Sequence, residues 1–195
     1  MADNKRGRDK QADDEQRRQR QRDVLAALER GDETEPPIPA AELDELEPEL
    51  ETLTFPATGA ALVDAVGDRT FGPATIADFL PDTESETFAD AETVQLRLQR
   101  PTIASAMKRV VEAHAAVSND RLGDSRREAY EQTFRALRDI DGVDEDEGIG
   151  AVADWVVAQV DEKGKLPGSR AVRRQAAKIC RANGYQVSND EWLGI

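Results

Sequence analysis

Residues 169–184, SRAVRRQAAKICRANG, predict an amphipathic helix with one basic and one apolar face. At 100° per residue, its five bases fall within an arc of about 140°, and they are Arg170, Arg173, Arg174, Lys178 and Arg181. Val172, Ala176 and Ile179 fall on the opposite side. The pattern therefore predicts that this helix packs by one face and presents positive charge on the other.

The ends of this helix are marked by residues that favour helix termini. Ser169 is predicted to be the N-cap, and Asn183-Gly184 is a favourable C-terminal stop. The turn KLPGS precedes it, and a helix from Gly148 to about residue 162 precedes the turn. That earlier helix places Ile149, Val152, Ala153, Val156 and Val160 on one side, with Trp155 at its flank. After residue 184, the apolar side chains of Tyr185, Val187, Trp192 and Leu193 could fold back over the helix.

Helix, short turn and basic helix is the outline of helix-turn-helix and winged DNA-binding modules, which the segment 142–195 resembles. In such modules the second helix enters the major groove, where its side chains contact phosphates and base edges. The resemblance implies a DNA-binding regulatory protein. Its contact residues would be Lys165, Ser169, Arg170, Arg173, Arg174, Lys178 and Arg181.

The charge distribution around this helix leaves two other interpretations open. Seven bases and no acid lie in residues 163–187, whereas residues 140–162 hold eight acids and no base. The basic side chains could therefore pair with those acids, either within the chain or across a homodimer. They could instead bind an acidic partner protein, as in a non-enzymatic adaptor. They could also form an ordinary solvated face.

The segment 101–141 is predicted to be a helical hairpin. Its first helix, 102–117, begins with Pro101 at a first helical position and carries one apolar stripe, formed by Ile103, Ala106, Met107, Val110, Ala113, His114 and Val117. The sole histidine, His114, is expected to be buried, neutral and hydrogen-bonded. Its second helix, 124–140, turns Tyr130, Phe134 and Leu137 inward, and its arginines are expected to be solvated, with Arg127 among them.

The segment 54–100 predicts a small three-helix unit. Thr58 can cap GAALVDAV, Pro73 precedes a second helix, ATIADFL, and Asp90 can cap AETVQLRLQR. The runs FPATGAALVDAVGD (55–68) and ATIADFLPDTESETFADAETV (74–94) resemble small haloarchaeal domains of unknown function. PDTESET (81–87) replaces the Gly-Pro-Leu-Gly turn of those domains. The resemblance implies a haloarchaeal origin and a helical unit, without an activity.

Residues 1–53 are interpreted as a charged tail and an acidic, Pro-containing linker. Residues 1–30 hold nine bases and seven acids and could be disordered or partly helical, or could form a basic arm through Arg17, Arg18, Arg20 and Arg22. In 31–53, leucines recur at helical spacing, but Pro48 interrupts them, which favours a linker with a possible docking segment. Ordered structure is expected to begin near Phe55.

The helical patterns above predict a mainly α protein, and composition favours a cytoplasmic one. The 195 residues carry a formal charge of −14, and only six of the 26 bases are Lys, which is typical of a protein hydrated in a very salty cytoplasm. One cysteine excludes an intramolecular disulfide, and no apolar run is long enough for a membrane span. The N-terminus lacks the apolar region of a secretory signal.

Catalytic machinery is not apparent in the sequence. We find no phosphate-binding Gly loop, nucleophile elbow or metal cluster, so no enzyme activity, cofactor, metal or small-molecule substrate is expected. The acidic run DGVDEDEGIG lacks the ligand spacing of a calcium loop. Cys180 lies among arginines, which would lower its pKa if it were exposed.

Overall fold

The computed structural model describes residues 37–71, 74–118, 120–138 and 147–183, and these fold mainly as helices. The first elements are the helices α1 (Ala40–Leu43) and α2 (Glu47–Leu50), joined by a 3-10 turn (Asp44–Leu46), then β1 (Ala57–Thr58) and α3 (Gly59–Val66). Next come β2 (Thr70–Phe71), β3 (Ala74–Thr75), a 3-10 turn (Ile76–Asp78), β4 (Thr87–Phe88) and α4 (Ala91–Leu98). Four longer helices follow: α5 (Pro101–Val117), α6 (Asp124–Arg138), α7 (Glu147–Lys163) and α8 (Ser169–Ala182).

The N-terminal core begins well before Phe55, so the interpretation of residues 40–53 as a linker is wrong. Leu43, Leu46 and Leu50 are 0%, 3% and 1% exposed, and they pack with Leu62, Ile76, Leu80, Phe88, Val94 and Leu98. Pro48 does not interrupt the segment, because it lies in the first turn of α2, where its missing N–H is not needed. These leucines are therefore not available as a docking segment on the folded chain. The interpretation of residues 1–36 falls outside the described residues.

The capping predictions for this unit are confirmed at two helices and corrected at a third element. The Thr58 and Asp90 side chains accept hydrogen bonds from the Ala61 and Thr93 amides, at 3.3 and 2.8 Å. The Thr93 hydrogen bonds also hold the pKa of Asp90 below its usual value. By contrast, the predicted helix ATIADFL is a strand followed by a 3-10 turn. An extended Thr75 donates its N–H and hydroxyl to Asp78, which starts a tight turn instead of an α-helix.

Short strands, which the sequence patterns did not predict, tie this unit together. β1 pairs antiparallel with β4, with Ala57 opposite Phe88, and β2 pairs antiparallel with β3, with Phe71 opposite Ala74. Each strand has only two residues, so none carries the alternating pattern from which strands are normally predicted. The β1–β4 pair brings residues about 30 apart in sequence side by side.

The C-terminal core is enclosed by helices α5 to α8. Its buried side chains include Met107, Val110, Tyr130, Phe134, Val156, Val160 and Val172. The predicted inward faces of α6 and α7 are confirmed, and Trp155 packs at the edge of this core. On α5 the stripe ends early, since Val117 is 41% exposed in the last turn. His114 is buried as expected, but its Nδ1 has no hydrogen-bond partner.

A buried ion cluster connects the two cores. The Glu86 carboxylate, 2% exposed, lies 2.8 Å from Arg97 Nη2, and this same nitrogen lies 2.7 Å from Glu131 Oε1 on α6. Arg127 Nη1, one turn earlier on α6, lies 3.6 Å from Glu86. The Arg97 guanidinium also stacks on the Phe88 ring, 5.6 Å from its centroid. Arg127 therefore faces a buried carboxylate, which corrects its prediction as part of a solvated face.

The buried position of Leu43 generates a stability prediction. Leu43→Ala should lower the free energy of unfolding by about 2–5 kcal/mol, because it leaves a cavity in the N-terminal core. Leu96→Ala, at a side chain that is 53% exposed, should change it by no more than about 0.5 kcal/mol. Urea denaturation followed by circular dichroism measures both. Equal effects of the two substitutions would contradict the placement of α1 in the core.

The ion cluster generates a second prediction. Glu86→Ala should cost about 1.5–3 kcal/mol of unfolding free energy, because Arg97 loses its buried carboxylate partner and keeps only Glu131. The control is Asp154→Ala, which removes an exposed ion pair with Arg109 and should cost no more than about 1 kcal/mol. Chemical denaturation of both variants tests this. A loss at Glu86 as small as that at Asp154 would show that the cluster does not stabilise the fold.

Candidate nucleic-acid interface

Most of the predicted basic face of α8 is exposed. Lys165 in the preceding turn and Arg170, Arg174, Lys178 and Arg181 on the helix are exposed, whereas Ser169 and Arg173 are half-buried. We call Arg170, Arg174, Lys178 and Arg181 the basic face. They fall within an arc of about 80°, narrower than expected, because Arg173 lies toward the packed side of the helix.

The buried side of α8 explains this narrower arc. Val172, Ala176, Ala177 and Cys180 are fully buried, and they pack toward α6 and α7. Ala177 lies at an angle that the sequence pattern would have placed among the bases. The helix is therefore inserted more deeply than the apolar residues alone predicted, and Arg173 is drawn toward the core.

Some of the exposed bases have no ion pair among the described residues. Within the described part of the chain, Lys165, Arg170, Arg174 and Lys178 form no ion pair, whereas Arg173 and Arg181 each have an interaction in the protein. Of the acids in the preceding helix, Asp154 pairs with Arg109. These four bases therefore form no ion pair with Asp154, Asp161 or Glu162 of α7, and the Glu147 side chain and residues 139–146 lie outside the described residues.

The turn between α7 and α8 is fixed by three contacts. Gly164 adopts φ +64°, a left-handed conformation that favours glycine, and its N–H donates to Val160 O at 2.7 Å. Leu166 is buried in the C-terminal core. The Tyr130 hydroxyl of α6 donates a 2.7 Å hydrogen bond to Pro167 O, and burial raises the pKa of this phenol, which keeps it protonated as a donor. These contacts set the direction in which α8 leaves the turn.

The N-terminus of α8 differs from the prediction. Gly168, with an extended backbone, occupies the N-cap position, and no side chain caps the helix. The Gly168 carbonyl accepts hydrogen bonds from Ala171 and Val172, so Ser169 is already the first helical residue. Ser169 is therefore not the N-cap.

The single cysteine is enclosed rather than activated. Cys180 is fully buried, and this burial raises the pKa of its thiol. Arg181 lowers the pKa by a smaller amount, so the arginine neighbourhood does not produce a reactive thiolate. No cluster of three His, Cys, Asp or Glu side chains able to hold a metal occurs among the described residues. None of the helices in the described ranges is long and apolar enough to cross a membrane.

Comparison with known proteins gives one match, which covers less than half of the chain. Residues 40–110 match the sequence profile of a family of unknown function, DUF5789. No curated protein and no solved structure matches the chain. The match begins at the first residue of α1, which agrees with the packing of the α1 and α2 leucines in the N-terminal core. It ends within α5, so the basic face of α8 lies outside it.

The environment of Cys180 generates a third prediction. In the native protein at pH 8, the thiol should not react with Ellman's reagent, because burial both blocks access and raises its pKa. After unfolding in urea, the thiol should react completely and give one equivalent of the coloured product per chain. An Ala182→Cys variant, with its new thiol at an exposed position of α8, serves as the control and should react at once without denaturant. Rapid reaction of the native wild type would contradict this environment.

Proposed function

We propose that the protein is a DNA-binding regulatory protein that contacts the duplex through the basic face of α8. The observation that carries this proposal is the row of Arg170, Arg174 and Lys178, which are exposed, four residues apart, and without ion pairs among the described residues. The row is about 12 Å long at 1.5 Å per residue. A B-DNA major groove is about 12 Å wide and admits one helix, whose diameter is about 10–12 Å, so this row would run along the groove. Lys165 and the half-buried Arg173 and Ser169 lie at its margins.

The supporting scaffold also suits this role. A helix that enters a groove must be held by one side only, and α8 is covered by α6 and α7 on the side opposite its bases. The fixed turn at Gly164 and Pro167 reduces the ordering cost of binding. The proposal is therefore supported by the exposure and charge of the basic face and by the packing that holds α8 in place.

The acidic composition bears on where such binding would operate. We infer from the charge of −14 and the scarcity of Lys a cytoplasmic protein of a halophilic archaeon. At molar salt the screening length falls to about 3 Å, so diffuse attraction to DNA is weak. Close bidentate contacts remain effective, and arginine forms them better than lysine. Three of the four bases of the basic face are arginines.

A non-enzymatic adaptor that docks on an acidic protein is the competing hypothesis. The same exposed bases would attract carboxylates instead of phosphates. Affinity purification at native salt separates the two, because nuclease treatment releases DNA-tethered material and leaves a direct protein partner bound. Discrete chromatin-immunoprecipitation peaks would favour the DNA-binding role, and their absence the adaptor.

The test of DNA binding is a charge reversal on the basic face. Arg170→Glu with Arg174→Glu should abolish retention of a fluorescent duplex at the salt at which the wild type binds, and should leave helicity unchanged. For every phosphate that a side chain no longer neutralises, the slope of log K against log salt should become shallower by about 0.9. Fluorescence anisotropy over a salt series measures both quantities.

The matched control is Arg17→Glu with Arg18→Glu, which changes the net charge equally in the N-terminal segment. It should leave retention nearly unchanged. Unaltered binding by the α8 variant would reject the proposal. An equal decrease in both variants would also reject it, because binding would then depend on total charge or on the N-terminal segment.

A further inference from the structure

An open cleft lies largely within the part of the chain that matches the family of unknown function. Its volume is about 480 Å³, within the usual range for binding sites. Its walls come from the residues before α1, from the α1 segment, from the β2–β3 hairpin and from the start of α5. None of the residues of the basic face lines it, so the cleft is a separate surface.

The floor of the cleft is apolar and partly accessible. Ile38, Phe71, Phe79 and Pro101 form it, and the rings of Phe71 and Phe79 meet edge to face with centroids 5.8 Å apart. Ile38, Phe71 and Phe79 are all only half-buried, so apolar surface remains open to solvent. Phe79 and Pro101 also line a neighbouring cleft of about 350 Å³ that continues along α5. The floor can therefore accept a bulky apolar side chain of an extended ligand.

The rim of the cleft is acidic. Glu42 and Glu45 line it, three residues apart and both exposed. The segment 40–68 contains eight acids and no base. The next base, Arg69, is already bound to Glu49 and lies 3.6 Å from Glu45. The rim therefore repels phosphates and carboxylates and attracts cations.

These two properties select the occupant. An apolar floor requires a bulky apolar side chain, and an acidic rim requires positive charge beside it. A peptide segment with a large apolar residue flanked by Arg or Lys satisfies both requirements. We propose that this cleft binds a basic, apolar peptide segment of a partner protein, with its apolar side chain against the open surface of Phe71 and Phe79 and its cations on Glu42 and Glu45.

The test uses the full chain and a fluorescent peptide of sequence RRLFRR, with EELFEE as the peptide control. RRLFRR should bind saturably and shift the ring resonances of Phe71 and Phe79, whereas EELFEE should not. In the protein, Glu42→Lys with Glu45→Gln should weaken RRLFRR binding roughly tenfold, the effect of removing two partly exposed charge pairs. Fluorescence anisotropy and NMR supply the two measurements.

The matched protein control is Glu47→Lys with Glu51→Gln. It makes the same change in charge at exposed positions of the same segment, away from the cleft lining, and should leave affinity within about twofold. The proposal is overturned by the absence of saturable binding, by equal binding of EELFEE, or by equal weakening in both protein variants. Self-association that RRLFRR reverses would also overturn it, since the occupant would then be a second copy. No DNA is present, so failure here is distinct from failure of the DNA-binding proposal.

Discussion

The buried Glu86 carboxylate is the constraint on which the rest of the structure depends. A carboxylate at 2% exposure is costly to desolvate unless positive charge surrounds it. Arg97 supplies that charge from within the N-terminal unit, and Arg127 supplies more of it from α6. Part of the positive charge that faces Glu86 therefore comes from outside the N-terminal unit, on α6.

Helix α6 contacts both the buried ion cluster and the turn that precedes the candidate interface. Arg127, Tyr130 and Glu131 occupy little more than one turn of this helix. Arg127 and Glu131 contact the Glu86–Arg97 pair, while Tyr130 hydrogen-bonds to Pro167 in the turn before α8. Side chains three and four residues apart lie on neighbouring positions of one helix surface, so a single rigid turn positions both regions. The orientation of the basic face thus depends on contacts made outside the helix that carries it.

Periodicity and capping predicted the long helices because each of them has an extended apolar face. The apolar face of α6 and the caps at Thr58 and Asp90 were all readable from local residue patterns. The burial of the leucines in residues 40–50 was not predicted, because Pro48 breaks helices at most positions and the acids around it are typical of a linker. The hairpins were missed because two-residue strands have no period.

The candidate site was predictable in outline but not in detail. Charge and helical angle identified Arg170, Arg174, Lys178 and Arg181 correctly as exposed. The half-buried state of Arg173 depends on how deeply Ala177 enters the core, and no local pattern specifies that depth. The ion cluster of Glu86, Arg97 and Glu131 could not be predicted either. Its members are separated in sequence, and each resembles an ordinary surface residue. Only the tertiary fold brings them together.

The hydrogen bond from Tyr130 to Pro167 determines which fragment of the chain can keep the geometry of the basic face. Here the turn before α8 is supported by a side chain of α6, and the apolar side of α8 is covered by α6 as well as by α7. Residues 147–183 excised alone would lack both supports. The smallest unit that preserves the geometry of the basic face therefore has to include α6 and the N-terminal unit to which α6 is bound.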